Sequence, residues 1–544
     1  MRSGAASDVV LTARRCYTLA PRQPGATALA VNAGRIVAVG TPAAVRARAG
    51  RRARLVDLRE CVITPGLVDC HTHFFYWALQ RALVINVTNL PTLEATLARI
   101  REQAKSRTVG GWVLAAAFDH NRWGRPFPDA ATLDRAVPDR PAMVRSRDAH
   151  TVWLNTLGLK RAGIDRRTAD PPGGCYHRDR HGRPTGIVQE IAIDQLPNPL
   201  RDLGLRADAQ AWAQVDRALE EAYSAAWALG IVGVHCVDDA ASLFHFQRHR
   251  QEGRLGIRIV HTIPLAGQDH AAALGLRSGL GDDWLRIGGV KIFADGSLGA
   301  QTAYMFEPYP NRRRYRGVPV LTGEALREAV VRLAQRGWAA WIHAIGDRAV
   351  HDAIAAIAAA RRVERSFLPH RIEHAQCVRP ADIKRMARLR IIASVQPCHI
   401  PGDIATADRH WPRARRYAYP LRGMLDAGVT LAAGSDAPIE SLDPRRGFFA
   451  AICRTDDAGL PPGGWFPRQR IEAVEVLRAF TAGAAAAAGL GPPWGRLTPG
   501  APADLTIWCE DPLTTPPERL REVGIAGCMV GGRLHLREDA GVGE

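Results

Sequence analysis

Val68-Asp69-Cys70-His71-Thr72-His73 follows the apolar pair Val62-Ile63 and the breaker pair Pro65-Gly66, and its reading decides the fold. It reads as a short buried strand. Side chains of a strand alternate between faces, so His71 and His73 project to the same side and Cys70 to the other. Two imidazoles on one face, within reach of one ion, are half of a metal site. Taken alone, the pair fits equally well two hydrogen-bonded histidines at a strand end.

Upstream, Ala28 to Val31 and Arg35 to Val39 flank Asn32-Ala33-Gly34 as a hairpin, and Leu55 to Leu58 adds a short strand. This unit is too thin to close a core by itself. Downstream, residues 80–205 do not alternate strand with helix. Beyond a helix over Thr92 to Ala104 the segment is rich in Pro, Gly, Asp and Trp, with loops at Arg147-Asp148-Ala149-His150 and Pro171-Pro172-Gly173-Gly174. It reads as an insertion that covers a site. Its aromatic residues Trp112, Phe118, Trp123 and Trp153 form either a small core or a pocket wall.

A regular rhythm then sets in. Helices are expected over Ala209 to Leu229, Ala241 to Gln251, Gly323 to Gln335, Arg348 to Ala360 and Ala381 to Leu389. Strands are expected over Ile231 to Cys236, Ile257 to Ile263, Ile287 to Phe293, Ala339 to Ala344, His370 to His374, Ile391 to Val395 and Val429 to Ser435. With the His-x-His strand the series closes naturally as a (β/α)₈ TIM-like barrel. The tail returns to β character at Leu505 to Trp508, Ile525 to Val530 and Arg533 to Leu536. The expected organisation is therefore an α/β chain in which residues 1–64 and 491–544 build a small composite β-sandwich domain. Residues 65–490 form the barrel, with the long insertion following its first strand.

The bulk numbers exclude several classes. The 544 residues are 47% hydrophobic, which leaves ample material for a core. No apolar run is long enough to span a bilayer and no leader pattern precedes the first strand, so a cytoplasmic protein without membrane contact is expected. Ten cysteines stand singly with no Cys-x-x-Cys, against a disulfide framework or a thiolate zinc site. The net charge of +18 is spread along the chain as arginine without a recognition motif, so no nucleic-acid partner is expected.

Active groups of a barrel lie at the C-terminal ends of its strands. Strand one ends in His71 and His73, strand four carries Lys291, strand five His343, strand six His374, and strand eight runs into Asp436. Lys291 is one of only four lysines, and its ammonium would be costly to bury. Reaction of the neutral amine with carbon dioxide gives a carbamate, an oxygen ligand able to bridge two cations. His71, His73 and Asp436 would then hold one ion, and His343 and His374 the other. Nitrogen and oxygen donors in this mix suit divalent zinc first. Arg371, counted from His374, has the wrong parity for the lumen and is expected to pair with an acid.

The quoted runs Pro65 to His73 and Lys291-Ile292-Phe293-Ala294-Asp295-Gly296-Ser297-Leu298-Gly299 resemble metal-dependent amidohydrolases of amidohydrolase family 3. So do His343-Ala344-Ile345-Gly346-Asp347, Arg371-Ile372-Glu373-His374-Ala375-Gln376 and Gly434-Ser435-Asp436-Ala437-Pro438. The branch is the one that contains N-substituted formamide deformylase, and the resemblance runs almost end to end. It implies the composite β domain, a lumenal metal site and a hydrolase acting on a non-peptide carbon–nitrogen bond. The expected substrate is a small amide, an N-substituted formamide or N-acyl amine, attacked by metal-activated hydroxide with Asp436 as general acid–base. Cyclic amide or amidine hydrolysis and deamination are the alternatives within the superfamily, and a non-catalytic basic binding protein is a remote one. Two stretches depart from the family pattern, Ala117-Phe118-Asp119 and Asp148-Ala149-His150. Asp119 and His150 within them are candidate substrate contacts, and a homodimer is the candidate assembly.

Overall fold

The computed structural model describes residues 9–537 apart from 21–24, 50–52, 59, 124–126, 147–150, 172–173 and 311. The chain divides into two compact units, residues 1–74 with 223–544, and residues 75–222.

In the first unit, eight parallel strands lie in the order eight to two and then one. Strand one is Leu67–Thr72, two Ile231–Cys236, three Arg258–Pro264 and four Leu285–Phe293. Strand five is Ala340–Ala344, six Arg371–His374, seven Ile392–Val395 and eight Leu431–Ala433. Asp436 N donates to His71 O (2.7 Å) and His73 N to Ala437 O (2.8 Å), which joins the ends of strands eight and one. Helices Ala240–Gln251, Gly323–Gln335, Asp347–Ala360 and Pro380–Arg388 alternate with these strands within two residues of their expected bounds. Their apolar faces explain their packing. Val350, Ile354 and Ile357 of one helix are fully buried, each worth about 2 kcal/mol relative to exposure.

Register fixes which residues face the lumen. Lys291 lies opposite Trp341, and Trp341 opposite Arg371, while Ile292, Ile342 and Ile372 share the next row and so point outward. Arg371 is therefore lumenal, which overturns its expected parity. The error came from counting back from His374, whose left-handed backbone (φ 71°) turns its side chain out of the alternation. Trp341 fills the barrel because strand four offers glycine beside it: a Cβ at Gly289 would stand 2.6 Å from the indole.

A second sheet in this unit is made from both chain ends. Its order runs Arg533–Leu536, Ile525–Val530, Leu505–Trp508, Val62–Pro65, Val9–Cys16, Ala26–Asn32, Arg35–Gly40, with Arg54–Asp57 beside Val9–Cys16. Trp508 pairs with Val62 and Leu505 with Pro65, so the tail completes the thin N-terminal unit. Strand Val9–Cys16, not expected from sequence, is the one that joins the hairpin to the rest. Its first three residues are apolar, but Arg14 and Arg15 interrupt the pattern. The ten cysteines are free. Among the described residues no helix is long and apolar enough to cross a membrane.

The second unit contains strands that the reading of 80–205 did not specify. It holds a six-stranded sheet ordered Gly174–Arg178, Pro184–Glu190, Thr151–Leu154, Ala142–Ser146, Val113–Phe118, Ile85–Asn86. These strands are two to seven residues long, so no long periodic run betrays them. Helix Leu93–Gln103 packs its Leu97 and Ile100 into the unit's own core beside Phe118 and Trp153. Phe118 stacks 5.8 Å from Trp123 and meets Trp153 at 6.1 Å, so these rings form a core of their own.

Candidate metal centre at the strand ends

Ligand atoms of His71, His374 and Asp436 lie within 4.8 Å of one another, and all three residues are buried. This set draws from both of the expected groups, since His374 was assigned to the second ion. His73 joins through Nε2, 3.7 Å from Asp436 Oδ1. Lys291 Nζ stands 3.4 Å from His71 Nε2. The His343 ring lies 4.5 Å from that of His374, and its Nε2 faces the Gly296 carbonyl at 3.1 Å. That bond leaves Nδ1 as the nitrogen with a free lone pair. All six expected ligands are thus gathered at one end of the barrel.

The backbone places them at some cost. His374 (φ 71°) and Asp436 (φ 62°) both adopt the left-handed conformation that side chains disfavour. Such residues cluster where a site requires a particular aim. Gly434 gives the room: a Cβ there would come 2.6 Å from His71 N and Asp69 Oδ1.

Each histidine of the pair is anchored from behind. His71 Nδ1 donates to Glu373 Oε2 at 2.5 Å, and His73 Nδ1 to Asp238 Oδ1 at 2.8 Å. Both bonds fix the tautomer so that Nε2 carries the lone pair toward the cluster. Burial pushes Glu373 up, but Arg371 and His71 outweigh it and hold the carboxyl well below its usual range. Burial likewise opposes ionisation of Asp436, and the rings of His399 and His71 overcome it. Burial first, then Lys291, lowers His343 to about 3. Burial, then the neighbouring His343, lowers His374 well below the imidazole range. Both therefore stay neutral donors at neutral pH. Burial brings Lys291 down to about 8, against the pull of Glu373 and Asp436.

These residues fit a divalent cation. The donors are neutral imidazoles and a carboxylate, and His374 Nδ1 is buried without a hydrogen-bond partner. Sequence reading missed four contributors. His399, after strand seven, brings Nε2 to 3.6 Å from Asp436 Oδ2. Asp238, Glu373 and Asp295 were not singled out, though Glu373 and Asp238 accept hydrogen bonds from His71 and His73. Asp295 accepts from the amides of Tyr304, Ile345 and Gly346, tying the loop after strand four to that after strand five. Local signal for them was slight, because a single acid or histidine at a strand end is common. Asp119 lies half-buried just after Val113–Phe118 in the second unit. His150 lies outside the described residues.

The sequence pattern of the amidohydrolase family matches residues 54–535. The chain belongs to that family. This amidohydrolase is 30% identical over 520 residues to Protein LONG AFTER FAR-RED 3 of Arabidopsis thaliana, covering 93% of this chain and 88% of that one. It is 27% identical over 543 residues to the N-substituted formamide deformylase of Arthrobacter pascens, covering 97% and 98% of the two chains. Among solved structures it resembles an uncharacterized metal-dependent hydrolase from Pyrococcus furiosus. The TM-score is 0.76 at 25% identity, over 94% of this chain and 100% of that one. The amidohydrolase is a hydrolase whose polar strand ends sit where such barrels carry their chemistry.

Proposed function

We propose that this amidohydrolase is metal-dependent and cleaves a carbon–nitrogen bond other than a peptide bond, in an N-substituted formamide or an N-acyl amine. The observation that carries the reading is the buried set His71, His374 and Asp436, with ligand atoms within 4.8 Å of one another. Similarity to the Arthrobacter pascens deformylase over 97% of the chain supports the formamide class.

His71, His73, His343, His374 and Asp436 would hold the metal, and the nitrogen–oxygen donor set favours zinc. A bound divalent ion supplies Lewis-acid activation of water and of the scissile carbonyl. The chain's own contribution is proton transfer and orientation. Asp436, held as a carboxylate, takes a proton from the attacking water and delivers it to the leaving nitrogen. Lys291 has a depressed pKa of about 8, which favours reaction of its neutral amine with carbon dioxide. The N–C bond forms, one proton leaves, and the resulting carbamate would bridge a second ion. Phe293, one pleat beyond Lys291 and 48% exposed, has its ring 5.1 Å from that of His343. An apolar substituent on the amide fits beside it. Substrate choice by residues 80–205, including Asp119 and His150, belongs to the same proposal and rests on their place directly after strand one.

The test is a panel of N-formyl, N-acetyl and cyclic amides assayed with the zinc- or manganese-loaded enzyme. Formamides and N-acyl amines should turn over, and chelator dialysis should abolish the reaction. Full activity in a demonstrably metal-free preparation overturns the reading.

A further inference from the structure

Below the ligand cluster the lumen holds a second polar layer, and its contacts run in one direction. Arg371 lies at the start of strand six and is fully buried, as are Glu373 and Trp341. Its Nε donates to Glu373 Oε1 at 2.5 Å, Nη2 to the Cys70 carbonyl at 2.8 Å, and Nη1 to His235 Nδ1 at 2.8 Å. The guanidinium carbon sits 3.2 Å from the centre of the Trp341 ring. The cation is thereby held by strands one, two, five and six at once. Glu373, gripped through one oxygen, offers the other to His71 Nδ1 at 2.5 Å.

We infer that Arg371 and Glu373 are positioning residues that set metal affinity through His71. The inference rests on the proposed metal dependence of the site. Arg371 has no freedom to leave, so Glu373 Oε2 stays fixed beneath the imidazole. His71 is then locked in one tautomer, with Nε2 as the donor and its ring orientation set before any ion arrives. Carboxylates behind ligating histidines act in this way, and their loss costs metal sites about 10- to 100-fold in affinity. The layer differs from a merely structural ion pair in having an outlet, since one of its three polar partners outside the pair is a candidate ligand.

The experiment measures zinc affinity of the full-length, metal-depleted chain by competition with a chromophoric chelator. Wild type is compared with Glu373→Gln, Arg371→Lys and the double variant Arg371→Met/Glu373→Gln. Glu373→Gln should weaken zinc binding about 10- to 100-fold, and Arg371→Lys less. Circular dichroism and the melting temperature of the metal-free state report folding separately. Removing both charges of a buried pair is tolerated better than removing one. The double variant should therefore recover metal-free melting temperature relative to Glu373→Gln while its zinc affinity stays low. Affinity that recovers together with melting temperature overturns the inference in favour of a structural pair. So does a folded Glu373→Gln protein that binds zinc within twofold of wild type. A wild-type chain that takes up no zinc overturns the metal reading itself, and this inference with it.

Discussion

Two polar layers lie one above the other in the same barrel, and they are built on opposite terms. In the lower, Arg371 makes three hydrogen bonds and Glu373 spends both oxygens on partners. In the upper, His374 Nδ1 is buried without a hydrogen-bond partner, and Lys291 Nζ stands 3.4 Å from His71 Nε2. A buried polar group left unpaired is costly, and proteins retain one where something else completes it. The Arg371–Glu373 pair is thus satisfied within the protein, although Trp341 Nε1 beside it has no hydrogen-bond partner, as His374 Nδ1 has none above. Burial alone does not separate them, since Lys291, His71, His374 and Asp436 of the upper layer are buried as Arg371 and Glu373 of the lower are.

The upper layer should show the largest effects. Asp436→Asn retains the shape but loses the basic carboxylate, and kcat should fall by about two to four orders of magnitude. Steady-state kinetics on protein with verified metal content checks this, and a variant that keeps most of its kcat denies Asp436 the proton role. Lys291→Ala should lose metal and activity together, and short carboxylic acids should restore part of both by supplying the missing oxygen ligand. Wild type exposed to carbon-13 bicarbonate should give a carbamate signal. An unmodified lysine in fully metallated, active protein leaves the one-metal arrangement standing.

A finer contrast is available within the upper layer. The His71 side chain is 1% exposed and the His73 side chain 32%, while the carboxylate anchors of both are 0% exposed. Solvent reaches part of the His73 ring and almost none of the His71 ring, so the His71 ring depends more on its anchor. Asp238→Asn should therefore weaken zinc affinity by only about threefold to tenfold, less than Glu373→Gln. Equal losses at the two positions would remove burial as the distinction between them.

The smallest effect is a dependence of stability on pH in the metal-free protein. His235, His343 and His374 are depressed by burial first, as is His261, which is brought to about 4. Their unfolded forms bind protons from the ordinary imidazole pKa of 6.5 downward, while the folded forms do not. Stability is then present above pH 6.5 and lost as pH falls, with a slope of about 1.4 kcal/mol per pH unit for each such histidine. His73 and His399 oppose this. Burial lowers them, but Asp238 and Asp436 respectively raise them overall, so their contribution is present below pH 6.5 and fades as pH rises. Asp69 and Asp295, raised by burial to about 6 and about 7, also oppose it, because their contribution fades as pH rises through those values. His370 and His535, depressed by burial first, add to the larger set, and thermal melts from pH 7 to pH 5 should show a falling transition temperature. A flat or rising profile would mean that the buried histidines take up protons without unfolding.

What the sequence determined by itself is local and periodic. Apolar runs of strand length alternating with helical faces specify eight strands and their order. The positions of His71, His73, Lys291, His343, His374 and Asp436 at their ends follow from where each run stops. Tertiary structure alone decided what depends on closure. Arg371 faces the lumen and His374 joins it because of one left-handed residue, which strand parity does not register. His399 reaches Asp436 only because strands seven and eight are neighbours, and Asp238 and Glu373 become anchors only once strands two and six stand near strand one. The sheet of the second unit was hidden for a related reason: short strands separated by turns gain their identity from partners distant in sequence. Alternation is a property of neighbouring residues. Pairing, aim and burial belong to residues that only folding brings together.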